Sequence, residues 1–242
     1  MQDQVHVPQS AEALPAAAFG GAVLDDDALR ELLQSLAVLA CQAIDAAESV
    51  SITVLDDGRY ATINSTGPTA LAIDEAQYRD GHGPCVDAIR SKAQLLVTVD
   101  DLPDALRFVK EARRAHIGQV LATPLIGQGG EGMGAVNIYV HEGSVVTEGD
   151  AQTARRIGDA AAILVGYAFA LMESTHLNDQ LREAVATRDI IGSAKGILMH
   201  SQSCTRDAAF DILRRASQRE NRKLRELAEE IVLRFEGRAL SN

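Results

Sequence analysis

The sequence predicts an α+β protein. It reads as a mixed sheet of about five strands with helices packed on it, joined by a long, coiled-coil-capable helix to an all-α three-helix bundle. Three observations carry this. Short apolar segments broken by Gly, Pro and Asp turns alternate with helical periods between residues 50 and 140, in an order that is not a strict βαβ repeat. From residue 189 onward only helical periods appear. The charge is also split: residues 1–180 carry 11 Lys+Arg against 25 Asp+Glu, whereas residues 181–242 carry 12 against 9. A net charge of −11 for the whole chain therefore hides a basic C-terminal end, the place where a phosphate backbone is attracted.

The 46% apolar content excludes a largely disordered protein. Residues 1–24 show no sustained period and are expected to form a mobile tail. Asp25, Asp26 and Asp27 suit the positive end of a helix whose apolar stripe is Leu29, Leu32, Leu33, Leu36, Leu39, Ala40 and Ala43, running to about Ala47. Val50–Leu55 alternates like a half-buried strand, and Asp56-Asp57-Gly58 turns it into a second strand, Arg59–Ser65. Helices are expected near Ala70–Tyr78, Val86–Ser91 and Pro103–Ala115, and strands at Gln94–Val99, Val120–Ile126 and Met133–Val140. Gly127–Gly132 then forms a hairpin loop, with no Gly-Lys-Ser/Thr to make it a phosphate cradle.

Thr147 and Asp150 form a capping box for a helix in which Ile157, Ala161, Leu164, Ala168 and Leu171 recur at 4-3-4-3 spacing, a seam able to pair with a second copy. The pattern weakens at Thr175 and Asn178 and resumes at Leu181 and Val185, so residues 173–185 read as a helical connector. The bundle follows over residues 186–236, with 237–242 as a tail. Its first helix is Asp189–His200. Thr205 caps the second, with Ala209, Phe210, Leu213 and Ala216 inward, and Asn221 caps the third.

The first basic residue is Arg30, so the positive n-region of a secretory signal and the arginines of a transit peptide are missing, and the cytoplasm is the expected location. No uninterrupted run approaches the roughly 18 to 20 apolar residues of a membrane helix, so no membrane is expected. Cys41, Cys85 and Cys204 are odd in number and far apart, which fits free thiols.

Composition and spacing stop at an acidic α+β domain with a basic helical bundle. Ile191-Gly-Ser-Ala-Lys-Gly-Ile-Leu-Met199, Ala208-Ala-Phe210, Leu213-Arg-Arg-Ala-Ser-Gln218 and Asn221-Arg-Lys-Leu-Arg-Glu-Leu-Ala228 resemble an ANTAR domain, with matching pieces on all three helices. His200 stands where that family usually carries an acidic residue. Tyr78-Arg-Asp-Gly-His-Gly-Pro-Cys85, Val120-Leu-Ala-Thr-Pro-Leu125 and Gly134-Ala-Val-Asn-Ile-Tyr139 resemble a GAF domain, and residues 25–172 read as a GAF-like sensory and dimerisation domain. The resemblance implies a transcription antitermination regulator, a homodimer whose ANTAR units bind paired small-loop hairpins in mRNA leaders. It also leaves room for a small-molecule ligand at the GAF domain that no residue names.

Under that resemblance, Lys195, Arg214, Arg215, Ser217, Gln218, Asn221, Arg222 and Lys223 are the expected RNA-binding residues. The cations meet phosphate beside a positive helix end, and the amides and hydroxyls suit unpaired base edges. The rival reading is a solvated basic face with Asn221 only a cap, and Gly196 reads as a site of close helix packing. A basic helix also suits a DNA major groove, so a DNA-binding regulator is the alternative. A third reading is a thiol enzyme using Cys85, since a helix start lowers a thiol's pKa; against it, no second cysteine or paired histidine is near in sequence. Asp56-Asp57 and Asp100-Asp101 read as turn residues, and His82, His116 and His141 lack zinc spacing. No catalytic residue, cofactor or metal is expected.

Overall fold

The computed structural model describes residues 27–239, with side chains described through residue 236. The expected tail at 1–24, the helix-start residues Asp25 and Asp26, and residues 240–242 lie outside the described residues. The elements run α1 (Asp27–Ala43), β1 (Ala47–Asp56), β2 (Arg59–Ser65), α2 (Pro68–Asp80), α3 (Pro84–Ser91), β3 (Leu95–Thr98), a 3-10 turn (Val99–Asp101), α4 (Arg107–Arg114), β4 (Ile117–Ile126), β5 (Gly132–His141), α5 (Glu148–Gln202), α6 (Arg206–Glu220) and α7 (Leu224–Ala239). The chain divides into two compact units, the boundary falling between Met172 and Glu173 within α5.

The five strands form one sheet in the order β2-β1-β5-β4-β3. Every pairing is antiparallel, where a mixed sheet is expected from sequence. Asp57 and Gly58, both at positive φ, close the β1–β2 hairpin, and the Gly127–Gly132 loop closes β4–β5. The helix predicted over Pro103–Ala115 begins only at Arg107, because Leu106 holds extended backbone, and α1 stops at Ala43, where β1 takes over from Ala47.

One face of the sheet is apolar. Val50, Ile52 and Val54 of β1 and Val136, Ile138 and Val140 of β5 pack with Leu29, Leu33, Ala37 and Ala40 of α1 and with Ile157, Ala161, Val165 and Ala168 of α5. This corrects the expected seam. Ile157, Ala161 and Ala168 are consumed by the core of their own unit, because 4-3-4-3 spacing marks one face of a helix and a sheet covers that face as well as a second helix does. The exposed apolar residues of this stretch are instead Ile163 (73%), Tyr167 (61%) and Leu171.

The other face is covered as well, by α2, α3 and α4, with Ile73, Phe108, Val109 and Tyr139 at its centre. The alternation of β1 therefore does not mark a half-solvated strand. Ser51 and Thr53 are as buried as Ile52, and their hydroxyls join a polar cluster described below.

α5 starts at the expected capping box: the Thr147 hydroxyl accepts from the Asp150 N–H at 3.2 Å, and the Asp150 carboxylate accepts from the Thr147 N–H at 2.8 Å. Among the described residues α5 is the one helix long and apolar enough to cross a membrane by length and composition, with a mean hydropathy of 1.4 over 18 residues. The buried Ile157, Ala161, Val165 and Ala168 give it a place in a protein core.

The second unit holds the rest of α5 with α6 and α7. Its buried residues are few, Ala194, Leu198, Ala209, Leu213, Leu227 and Ala228, and half-buried Ile190, Ile191, Leu224, Ile231 and Val232 pack around that core. Thr205 caps α6, its hydroxyl accepting from the Ala208 N–H at 3.3 Å. Asn221 is not the N-cap of the third helix. It ends α6 in the left-handed conformation (φ 50°), and α7 begins at Leu224. Asn tolerates that region better than most residues, so a single asparagine between two helices serves equally well as the stop of one or the start of the next.

Candidate nucleic-acid interface

The predicted RNA-binding residues fall into two places. Arg214, Arg215, Ser217, Gln218, Asn221, Arg222 and Lys223 lie on the last turns of α6 and the turn before α7, whereas Lys195 lies on α5.

Much of the first group is engaged within the chain. Arg222 reaches Glu230 at 2.8 Å, Glu220 at 3.6 Å and Glu226 at 3.7 Å. The hydrogen bond to Glu230 is the main reason its guanidinium pKa is raised, and Arg222 in turn lowers the Glu230 carboxyl. Arg214 pairs with Asp211 at 2.8 Å, and the Arg215 Nε donates to the Asp211 carbonyl at 3.2 Å. Both arginine side chains are exposed, so neither faces the core. Ser217 donates to the Arg222 carbonyl at 2.6 Å and its own carbonyl accepts from the Arg222 N–H, so Ser217 and Asn221 shape the turn. Gln218 and Lys223 are exposed, and no ion pair engages Lys223 among the described residues.

The second place is a groove between α5 and α6 of about 740 Å³, lined by Gln180, Glu183, Arg188, Ile191, Lys195 and Arg206 with Ala184, Thr187 and Gly192. Three cations converge there, and among the described residues Arg188, Lys195 and Arg206 have no carboxylate partner. Its one acid, Glu183, is neutralised by Arg225 at 3.0 Å, and Arg225 also holds Glu229 at 2.8 Å. Of the three cations, Lys195 is among the residues expected from the sequence, and Arg188 and Arg206 are not. The spacing Arg206, Phe210, Arg214 was the available signal, since residues four apart share a helix face. Phe210, expected inward, is 39% exposed, and the Lys195 ammonium sits 5.5 Å from its ring centroid. Gly196, expected to pack closely, is exposed and a Cβ there would meet open space.

In the first unit the polar cluster lies between the sheet and α2 and α3. Asp74, fully buried, accepts from Thr62 Oγ1 at 2.9 Å, from Asn137 Nδ2 at 3.1 Å and from the Tyr139 hydroxyl. Gln77 donates to the Tyr139 hydroxyl at 3.2 Å and accepts from the Cys85 N–H at 2.8 Å. Tyr78 bridges the hydroxyls of Thr53 and Thr62, each at 2.7 Å. Desolvation raises the Asp74 carboxyl to about 6, although its hydrogen bonds pull the other way.

Cys85 belongs to the same cluster. Its thiol is fully buried and donates to Thr53 Oγ1 at 3.4 Å, and burial pushes its pKa far up, with the charge of Asp74 adding to the effect. The expectation that the start of α3 lowers this pKa is overturned: loss of water outweighs the few N–H dipoles of an eight-residue helix. Cys85 is a core thiol. Among the described residues no group of three or more His, Cys, Asp and Glu is arranged to hold a metal ion.

Two solved structures share the sheet-bearing part. One is a domain of a two-component sensor histidine kinase protein from Sinorhizobium meliloti 1021, at 17% identity and a TM-score of 0.50, covering 64% of this chain and 99% of that one. The other is a GAF domain/HD domain protein from Geobacter sulfurreducens, at 20% identity and a TM-score of 0.50, covering 61% of this chain and 96% of that one. At such identities they establish the fold alone. No curated protein matches the chain. Residues 26–165 match the GAF domain family and residues 179–232 the ANTAR domain family. The first match spans more than half of the sequence, and the chain belongs to the GAF domain family, in the architecture in which a GAF domain is followed by an ANTAR domain.

Proposed function

We propose that this protein is a cytoplasmic RNA-binding transcription antitermination regulator. Its ANTAR unit grips tandem small-loop hairpins in nascent mRNA and keeps an overlapping terminator from forming. The observation that carries the reading is the α5–α6 groove, where Arg188, Lys195 and Arg206 face one opening and its only carboxylate is already held by Arg225. Unpaired cations around an open groove suit a phosphate chain, because no internal ion pair has to break before RNA is bound. Arg222 and Arg214 each give up a carboxylate to do the same, so they rank below Lys195 in this reading.

Two copies supply one ANTAR unit per hairpin, and the second binding step gains from high effective concentration. The exposed Leu32 and Leu39 of α1 and Ile163 and Tyr167 of α5 are the apolar surface of the GAF unit that a second copy covers. A small ligand seated between the sheet and α2 would have to replace the contacts that Asp74, Gln77, Asn137 and Tyr139 now make with one another. No membrane is involved in this reading: Ile157, Ala161, Val165 and Ala168 of α5 pack in the core on the sheet, and Ile163 and Tyr167, left exposed in the same stretch, belong to the surface that a second copy covers.

The test is titration of the full chain with an RNA carrying two small-loop hairpins, the same RNA with one hairpin deleted, and a duplex DNA of equal length. Tight binding to the first, weaker binding to the second and weak binding to the third are expected; preference for the duplex DNA overturns the reading. Lys195→Gln should lower affinity about tenfold and reduce the slope of log K against log salt by about one, whereas Arg222→Gln should change that slope less. Equal slope changes would return the turn before α7 to equal rank. Tyr167→Glu should leave single-hairpin affinity intact and remove the gain from the second hairpin, with sedimentation showing a monomer; a variant that stays dimeric places the contact elsewhere.

A further inference from the structure

The helical period of α6 turns Ala209 and Leu213 into the core, fully buried, and leaves Phe210 at 39% exposure on the flank. Two rings of this small unit are left open to water, Phe210 and Phe235, although burying either would help a marginal bundle, and among the described residues Phe210 is the one with a cation over its face. Its neighbours are cations. The Lys195 ammonium lies 5.5 Å from the ring centroid, Arg206 stands one turn before it on the same helix and Arg214 one turn after. Arg214 is held by Asp211, but Lys195 and Arg206 have no carboxylate among the described residues, and both line the α5–α6 groove.

An ammonium over a solvent-facing ring is weakly held, and phosphate is the better partner for it. Once the lysine turns to a phosphate, the ring face it leaves is apolar, flat and set at the edge of a cationic groove. Those are the two halves of a nucleotide site: charge for the backbone and a π surface for the base. A paired base inside a stem has no free face to offer, so the occupant is an unpaired base.

We propose that Phe210 is a stacking platform for one unpaired loop base of the bound RNA hairpin, with Lys195 and Arg206 holding the phosphates beside it. This rests on the RNA-binding reading above. Stacking of this kind changes affinity roughly five- to hundredfold per base.

The experiment uses the full chain and an RNA selected for binding to it from a pool of tandem hairpins with randomised loops, together with a copy of that RNA whose loops are abasic. The wild-type chain should bind the intact loops roughly five- to hundredfold more tightly than the abasic loops. Phe210→Leu should bring the intact-loop affinity down to the abasic-loop value without changing the abasic-loop affinity or the salt slope, and Phe210→Trp should restore the preference. Circular dichroism and a thermal melt on each variant report whether the helices persist. If Phe210→Leu binds intact loops as the wild type does, or loses affinity equally for both RNAs, the stacking role is wrong while the RNA reading stands. If selection returns no RNA for the wild-type chain, both fall.

Discussion

Gly134→Ala is expected to unfold the sheet-bearing unit under conditions where the parent chain is intact, with a loss of about 3 kcal/mol or more. Gly134 sits in the central strand β5, opposite Val54 of β1 on one side and Leu125 of β4 on the other. A Cβ built there meets the Thr53 carbonyl oxygen at 2.1 Å, the Thr53 carbonyl carbon at 3.1 Å and the Val54 Cα at 3.1 Å. All three atoms are backbone, so no flexible side chain can swing away and relief requires β1 to move off β5. That movement breaks a ladder buried on both faces. Gly58→Ala is the contrast: its φ of 77° disfavours a side chain, yet nothing lies within 4 Å, so about 1 kcal/mol is expected. At roughly 2 to 4 °C per kcal/mol for a chain of this size, thermal melts should separate the two variants clearly. A Gly134→Ala melt within a degree or two of the Gly58→Ala melt would show that the strands tolerate the extra methyl.

That glycine illustrates where the sequence is legible and where it is not. The positions of the strands were readable because the apolar residues of β1, β4 and β5 recur between Gly, Pro and Asp turns, and the Thr147 capping box located the start of α5. The close approach of β1 to Gly134 was not, since it depends on which strands become neighbours. The same limit explains the polar face of the sheet. Ser51, Thr53 and Asn137 look solvent-facing in a period-two pattern, and only a covering layer carrying Asp74, Gln77 and Tyr78 makes them interior residues. In the second unit, Lys195 is singled out by the resemblance to the ANTAR family, whereas its sharing of a groove with Arg188 and Arg206 emerges only once α5 and α6 lie side by side. The ion pairs of Arg222 are equally out of view in the sequence: its partners Glu226 and Glu230 follow it at intervals of four and eight, beyond the cluster of residues that the resemblance singles out.

The buried polar face also makes stability depend on pH in an unusual direction. Asp74 is pushed to about 6 by desolvation, from an ordinary value of 3.8, so between these values the folded chain holds a proton that the unfolded chain has released. A carboxyl raised on folding favours the native state most at low pH and penalises it as pH climbs through its folded value. The full penalty, about 3 kcal/mol, is reached above pH 7, and roughly 1 to 2 kcal/mol of it accrues between pH 5 and pH 7.5. Among the described residues the groups facing Asp74 supply no cation to offset this. They are Ser51 on β1, Thr62 on β2, Tyr78 on α2, Cys85 on α3, and Asn137 and Tyr139 on β5. Asp104 and Glu230, the carboxyls lowered by arginines, act in the opposite sense but at pH values below their ordinary 3.8 and 4.5, outside this window. Asp74→Asn removes the titration while keeping the shape, its amide able to donate to Thr62 Oγ1, which in turn reaches the Tyr78 hydroxyl. The urea midpoint of the parent chain should therefore fall from pH 5 to pH 7.5, and that of the variant should fall less by an amount equivalent to roughly 1 to 2 kcal/mol. Parallel curves for the two proteins would mean that Asp74 stays ionised, or stays protonated, across the whole interval. A buried carboxylate with only neutral donors around it would then be solvated well enough by Tyr139, Thr62 and Asn137 to behave as it does in water, or poorly enough never to charge.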